Sequence, residues 1–425
     1  MKVHSYCDKK ESEPEKKESS LVYDDIIKDY NNIKEKGKKD ENIFNWRIIE
    51  ETVLCKAYNN FIPGKKLLSF DLDDTLITAD KKKSKESKKD KDGDKSYSLV
   101  HDINIIISKL EEYKKNNYIF AVFSNQNGIV AGHVKENDLK NKIDKIFEKD
   151  IKYPFVVLCA KEKDFYRKPS IGMLELFKTK FNQNIELEES IYVGDAAGRK
   201  KSKTYKRNDF SDSDYKFAMN CQMKFYTPEE FFLNEKSDIP KIENKLHDYD
   251  NNNNDHIKFD PSPQFKEVIV LIGPPGGGKS TFTENVLVPK GYIRINQDTL
   301  KTKEKVLSTL LDNIKKDKKI VIDSTNPKKS TRNEYINLCK KNNYPVRAFI
   351  FDIPKELAMH LNNLRAINKN RKHYSGAVNN IPIHSYYKYF EEPDIKEGFK
   401  EIVKVNFVPG PFENEEDKKI FYCLS

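Results

Sequence analysis

Asp71 and Asp73 stand two residues apart in Asp71-Leu72-Asp73-Asp74-Thr75-Leu76, directly after the apolar run Lys66–Phe70. A strand that ends there projects both carboxylates from one side of a sheet edge. Carboxylates so placed can divide a displacement at phosphorus. One attacks and carries the phosphoryl group; the other protonates the leaving oxygen and then activates water. Thr75 can bond the backbone and hold the turn. Far along the chain, Gly273-Pro274-Pro275-Gly276-Gly277-Gly278-Lys279-Ser280-Thr281 follows a second apolar run, Val268–Ile272. Its G-x-x-x-x-G-K-[ST] spacing is that of a loop whose backbone N–H groups wrap phosphates at the start of a helix. Lys279 can reach the terminal phosphates of ATP and Ser280 can bind Mg²⁺. One motif removes phosphoryl groups and the other transfers them.

Other residues of the right type follow further apolar runs. Ser124 and Asn125 come after Tyr118–Phe123, and Arg167-Lys168 precedes a proline. With Thr75 they form the candidate phosphate-holding set. Asp195 follows Ser190–Val193 in Tyr-Val-Gly-Asp-Ala-Ala-Gly-Arg and can ligate Mg²⁺, which favours one or two carboxylates plus substrate oxygen and water. Asp298, in Asn-Gln-Asp-Thr-Leu, suits a base that takes a proton from an attacking hydroxyl. It equally suits the N-cap of a helix predicted over Thr299–Lys316. Asp323 ends the run Lys319–Ile322 and reads as the metal-binding acid of the phosphate loop. The basic run Gly198–Arg207 reads as a solvated loop, or as a contact to a nucleic acid backbone or an import signal.

These residues need elements to hold them. Apolar runs at Lys66–Phe70, Tyr118–Phe123, Phe155–Leu158 and Ser190–Val193, then Val268–Ile272, Lys319–Ile322 and Val346–Phe351, predict buried strands. Helical patterns such as Asp102–Lys115 fall between them. The expectation is an α/β fold of two Rossmann-like parallel-sheet domains, with ligands at the carboxyl ends of the strands. Residues 1–41 are polar and expected to be disordered. The first domain spans 42–233, with a charged low-complexity insert at 81–96. Residues 234–262 read as a linker and 263–425 as the second domain.

Composition adds limits. The chain of 425 residues carries a net charge of +10, and the insert, with eight lysines against four acids, holds part of that excess. Global charge therefore says little about nucleic acid. Six scattered cysteines give neither a zinc site nor a disulfide framework, which points to a reducing compartment. No secretory leader and no apolar stretch of about 18 residues is seen, so no membrane association is expected.

Longer strings carry a family resemblance. Phe123-Ser124-Asn125-Gln126-Asn127-Gly128-Ile129, Tyr166-Arg167-Lys168-Pro169, Gly194-Asp195-Ala196-Ala197-Gly198-Arg199, Asn208–Asp214 and Thr227–Phe232 resemble a haloacid dehalogenase-type phosphatase. In particular they resemble the phosphatase domain of the polynucleotide kinase 3′-phosphatases. The phosphate loop, the Asp298 and Asp323 motifs and the tail Ile381-Pro382…Tyr386…Phe390-Glu391-Glu392-Pro393…Glu397-Gly398-Phe399 resemble the kinase domain of the same family. The resemblance implies Asp71 as nucleophile and Asp73 as general acid/base. It implies Asp195 as a metal ligand with Asp71 and the Asp73 carbonyl, and Asp298 as the base for a 5′-hydroxyl. Arg332, Arg365 and Arg371 are the lid candidates. The implied substrates are DNA ends, with RNA ends as the alternative. The implied enzyme is a nuclear monomer, an organellar pool being left open, with no counterpart of the forkhead-associated domain of animal relatives.

Overall fold

The computed structural model describes residues 43–79, 97–202, 205–251, 266–367, 379–410, 412 and 414–425. The expectations for 1–41, for the 81–96 insert and for Arg371 lie outside them.

Among the described residues, nine strands precede residue 234. They are β1 Arg47–Ile49, β2 Val53–Tyr58, β3 Lys66–Phe70, β4 Ile77–Ala79, β5 Tyr97–Leu99, β6 Tyr118–Asn125, β7 Phe155–Ala160, β8 Ile191–Val193 and β9 Lys224–Tyr226. Seven form one sheet in the order β1-β2-β7-β6-β3-β8-β9, and β4 and β5 form a separate antiparallel ribbon. The centre of the sheet is parallel, as expected, and all six residues of β7 are buried. A strand covered on both faces needs apolar residues without alternation. The edge departs from expectation: β1 and β2 join antiparallel to β7.

Helices cover both faces. Helix α1, Ile103–Lys115, starts where the Asp102 carboxylate accepts the Asn104 N–H at 2.8 Å. It buries Ile106 and Leu110 and places Lys114 and Lys115 in its last turn, where the helix dipole favours cations. Helix α2, Ser213–Asn220, returns the chain to the sheet and buries Phe217 and Ala218. Helix α3, Pro228–Leu233, is opened by a capping box between Thr227 and Glu230.

The second sheet is parallel throughout. Its strands are β10 Val268–Ile272, β11 Ile293–Asn296, β12 Ile320–Asp323, β13 Val346–Ile350 and β14 Glu401–Lys404, in the order β11-β12-β10-β13-β14. Helices α4 Lys279–Phe282, α5 Gln297–Leu300, α6 Lys303–Ile314, α7 Lys329–Lys341, α8 Lys355–Ile367, α9 Asn380–Tyr389 and α10 Glu415–Phe421 complete this unit. One predicted helix is two. The Thr299–Lys316 pattern breaks at Lys301, whose φ is 71°, and restarts with Thr302 capping α6.

The segment read as a linker is not a bare tether where it is described. Leu246 packs with Ile353, Leu357 and Ala358, and the Asn244 amide donates to the Tyr422 carbonyl at 2.7 Å. Residues 424–425 reach back to the first unit, with the Leu424 N–H on Asn220 Oδ1 at 2.7 Å and Lys216 Nζ on the Ser425 carbonyl at 2.8 Å.

Candidate functional site

Strand β3 delivers Asp71 to the carboxyl edge, where its N–H is held by the Val193 carbonyl of β8 at 2.8 Å. The carboxylate is buried and accepts from Lys168 Nζ at 2.6 Å. That ammonium also reaches Asp214 Oδ1 at 2.7 Å and the Tyr192 hydroxyl at 2.7 Å. Its three donors are thus spent on three groups from three parts of the chain. Burial opposes its charge, but Asp214 and Asp71 outweigh burial and raise its pKa.

Asp71, Asp195 and Asp214 offer carboxylate oxygens all within 4.8 Å of one another. Burial, with Asp214 and Asp73 nearby and Lys168 opposing, pushes the Asp71 carboxyl up to about 7. Burial and the charges of Asp71 and Asp214 push Asp195 up to about 8. Three hard oxygen donors that repel one another fit a small divalent cation such as Mg²⁺. Asp214 is the functional residue that the motif reading missed, although it closes the Asn208–Asp214 string. Its proximity depends on Gly194, where a Cβ would lie 2.6 Å from the Asp214 carboxylate.

Asp73 sits apart from that trio. Its carboxylate accepts from Gln126 Nε2 at 2.6 Å, is 3.5 Å from Lys142 and is more than half exposed. A solvent-facing carboxyl suits proton exchange with a leaving oxygen or water. Gln126 also donates to Ser124 Oγ at 2.9 Å, so it orients two candidate site groups at once.

Two of the expected phosphate-holding residues have other partners, and a third stands apart from the cluster. Thr75 is fully buried, and its hydroxyl accepts the Asp195 N–H at 3.1 Å, so it fixes the Asp195 loop. The Asn125 amide brackets the Lys168 backbone, accepting its N–H at 2.9 Å and donating to its carbonyl at 3.1 Å. It positions Lys168 from outside. Arg167 Nη1 is buried with no hydrogen-bond partner among the described residues. The basic run is divided too. Arg199 is buried on Asp209 and Glu229, whereas Arg207 lies 3.5 Å from Asp74 at an exposed surface.

The phosphate loop connects β10 to α4. The Gly273 N–H is tied to the Thr325 carbonyl at 3.1 Å, and Gly276 and Gly278 both have φ of 84°. A side chain at either would strain that turn. Lys279 is buried and donates to the loop carbonyls of Gly273 and Pro274 at 2.9 and 2.7 Å. Burial, added to by Arg365 and opposed by Asp323 and Asp298, pulls its ammonium down to about 8. Ser280 Oγ donates to Asp323 Oδ2 at 2.9 Å, so the two expected metal-binding groups meet. Arg294, which sequence reasoning did not single out, lies 2.6 Å from the same oxygen and also pairs with Glu284. Thr281 is exposed in the first turn after the loop.

Asp298 is exposed in α5, but it is not the cap. Asn296 fills that role, its side chain accepting the Thr299 N–H at 3.0 Å. Arg332 is a correction. Its guanidinium is fully buried, with Nη2 on Glu397 Oε1 at 2.6 Å and Nη1 on the Pro327 carbonyl at 2.9 Å. A desolvated arginine spent on a buried partner cannot serve in a lid. Glu397, from the tail motif, is the reason. Arg365 is half-buried on α8, and its charge acts on Lys279.

A carboxylate-nucleophile phosphatase site on one sheet and a phosphate loop with its acid on another define a two-site enzyme of phosphoryl chemistry. A family profile described as polynucleotide kinase 3 phosphatase matches residues 66–232. A putative bifunctional polynucleotide phosphatase/kinase of Acanthamoeba polyphaga mimivirus is 40% identical over 376 residues, covering 80% of this chain and 85% of its own. The bifunctional polynucleotide phosphatase/kinase of Schizosaccharomyces pombe is 34% identical over 365 residues, covering 85% and 84%. The chain belongs to the bifunctional polynucleotide phosphatase/kinase family.

Proposed function

We propose that the protein prepares broken DNA for ligation in the nucleus, hydrolysing 3′-phosphates and phosphorylating 5′-hydroxyls with ATP. The observation that carries this is the completeness of both constellations in one chain: Asp71, Asp195, Asp214 and Lys168 converge at one sheet edge, and Lys279, Ser280 and Asp323 at the other.

At the first site an Asp71 oxygen attacks the 3′-phosphate and forms an acyl phosphate as the bond to the 3′-oxygen breaks. Asp73 gives the leaving oxygen its proton. It then takes a proton from water, which hydrolyses the acyl phosphate and restores Asp71. Lys168 offsets charge on the transferring group. Mg²⁺ held by Asp71, Asp195 and Asp214 would neutralise phosphate charge there. At the second site Lys279 and the loop N–H groups hold the ATP phosphates. Asp298 takes the 5′-hydroxyl proton, the oxygen attacks the γ-phosphorus and ADP leaves. Ser280 and Asp323 would hold the Mg²⁺ of the nucleotide.

The test is a nicked duplex, end-labelled, carrying a 3′-phosphate and a 5′-hydroxyl, given with ATP and Mg²⁺. The expected products are a 3′-hydroxyl and a 5′-phosphate at the same nick. The same ends placed on RNA provide the comparison: faster turnover on RNA would replace the DNA reading with RNA repair.

A further inference from the structure

One cation of the basic run turns away from solvent. Lys200, Lys201, Lys206 and Arg207 are exposed, but the Arg199 side chain is only 3% exposed and that of its partner Asp209 only 1%. The Arg199 guanidinium spends its donors on three parts of the chain. Nε donates to Asp209 Oδ2 at 2.9 Å, and Nη1 to Glu229 Oε2 in the first turn of α3 at 2.9 Å. Nη2 donates to the Asp195 carbonyl at 3.0 Å and faces the Tyr205 hydroxyl at 2.9 Å. The Tyr205 ring lies against the guanidinium, its centroid 4.2 Å away. A planar fork with five donors can serve these partners together; the compact ammonium of a lysine cannot.

The contact with consequences is the Asp195 carbonyl. The Asp195 N–H is held by the Thr75 hydroxyl at 3.1 Å, so this residue is anchored on both sides, by the nucleophile loop and by Arg199. The peptides that follow are held by carboxylates. The Ala196 N–H goes to Asp214 Oδ2 at 3.0 Å, and the N–H groups of Ala197 and Arg199 go to Asp209 Oδ2 at 3.2 and 2.9 Å. Asp209 thus binds Arg199 through backbone and side chain at once and closes the loop on itself. Such an anchor has work to do. Asp71, Asp195 and Asp214 offer oxygens within 4.8 Å of one another, and carboxylates that close repel unless a cation sits among them. A loop free to give way would let Asp195 retreat.

We propose that Arg199 is a positioning residue of the phosphatase: it holds the Asp195 backbone so that the three carboxylates stay converged for a divalent cation. This rests on the reading of Asp195 as a metal ligand. Asp209 and Glu229 act one step further back, by orienting the guanidinium. Groups that hold a metal's ligands in place typically decide roughly 10–100-fold of its affinity.

The test uses the full chain carrying Asp323→Asn, which removes the acid of the second site. Bound Mn²⁺ is counted by electron paramagnetic resonance without nucleotide, because Mn²⁺ takes the same oxygen ligands as Mg²⁺. One Mn²⁺ per chain is expected, lost on adding Asp195→Asn. Arg199→Lys keeps a cation on Asp209 but cannot also reach the Asp195 carbonyl, and should weaken Mn²⁺ binding by roughly tenfold or more. With Asp323 intact, the same substitution should raise the Mg²⁺ concentration that half-saturates 3′-phosphate removal by a similar factor. That for 5′ phosphorylation should stay where it was. Glu229→Gln, at the partner nearest solvent, should weaken Mn²⁺ severalfold and decides the matter alone if Arg199→Lys does not fold. Unchanged Mn²⁺ affinity in the folded variant overturns the proposal, as does a lowered melting temperature with metal affinity intact. Mn²⁺ binding indifferent to Asp195→Asn would instead overturn the reading of Asp195 as a ligand, and the proposal with it.

Discussion

Lys168 shows how much one side chain carries. Its ammonium is the shared partner of Asp71, Asp214 and Tyr192, so the nucleophile and a metal-side acid are held by the same charge. The two catalytic centres use no residue in common, and this makes their chemistry separable. Asp71→Asn should abolish 3′-phosphate removal and leave 5′ phosphorylation near wild type; Lys279→Ala should do the reverse. Loss of both activities from either folded variant, in the nick assay, would contradict independent sites. Asp298→Asn should lower the 5′ phosphorylation rate by about 10²–10⁴-fold, the usual contribution of a general base. Because Asn296 caps α5, this substitution should leave helix and ATP binding intact. A near wild-type rate under single-turnover conditions would remove Asp298 from the mechanism.

Among elements, the β4–β5 ribbon has the plainest consequence. It leaves the nucleophile loop directly, and Ala79 pairs with Tyr97, so residues 80–96 join two strand ends that are already adjacent. Replacing them with a short turn should preserve the fold, because the ribbon's own pairing closes it. Phosphatase turnover on short oligonucleotides should be unchanged. If the eight lysines contact DNA backbone, affinity for longer duplexes should fall and its salt dependence become shallower. An unchanged salt slope in a filter-binding titration would make the insert a passive loop.

The central strands of both sheets were legible because strands buried on both faces must be continuous apolar runs. The edges were not. β2 carries Lys56 within it, and β14 is half exposed, so neither has an uninterrupted run. The break in the helix over Thr299–Lys316 was hidden because Lys301 adopts a positive φ without being glycine or asparagine.

Across the whole molecule the two units are tied by the C-terminal segment. His360 of α8 lies 2.9 Å from the Phe421 carbonyl and 3.0 Å from Ser425 Oγ. Burial lowers its pKa to about 4, so the folded state keeps it neutral while an unfolded histidine titrates near its ordinary value. A depressed pKa contributes stability that is complete above about 6.5 and lost as pH falls toward 4. The expected result is a melting temperature that declines over that interval. The decline should be smaller in His360→Gln, and up to roughly 3 kcal/mol is at stake. An equal decline in both proteins would remove His360 as its cause.

What the sequence by itself determined is what lies close along the chain. The two carboxylates of Asp71 and Asp73, the nine-residue phosphate loop and the acid at the end of a strand are set by spacing and by the strand before them. Only the tertiary structure decided the long-range partners. Asp214 joins Asp71 and Asp195, Arg332 is consumed by Glu397, Arg294 reaches Asp323, and Arg199 reaches Glu229. Each outcome depends on strand order and on which charges are desolvated together, and no local pattern encodes either.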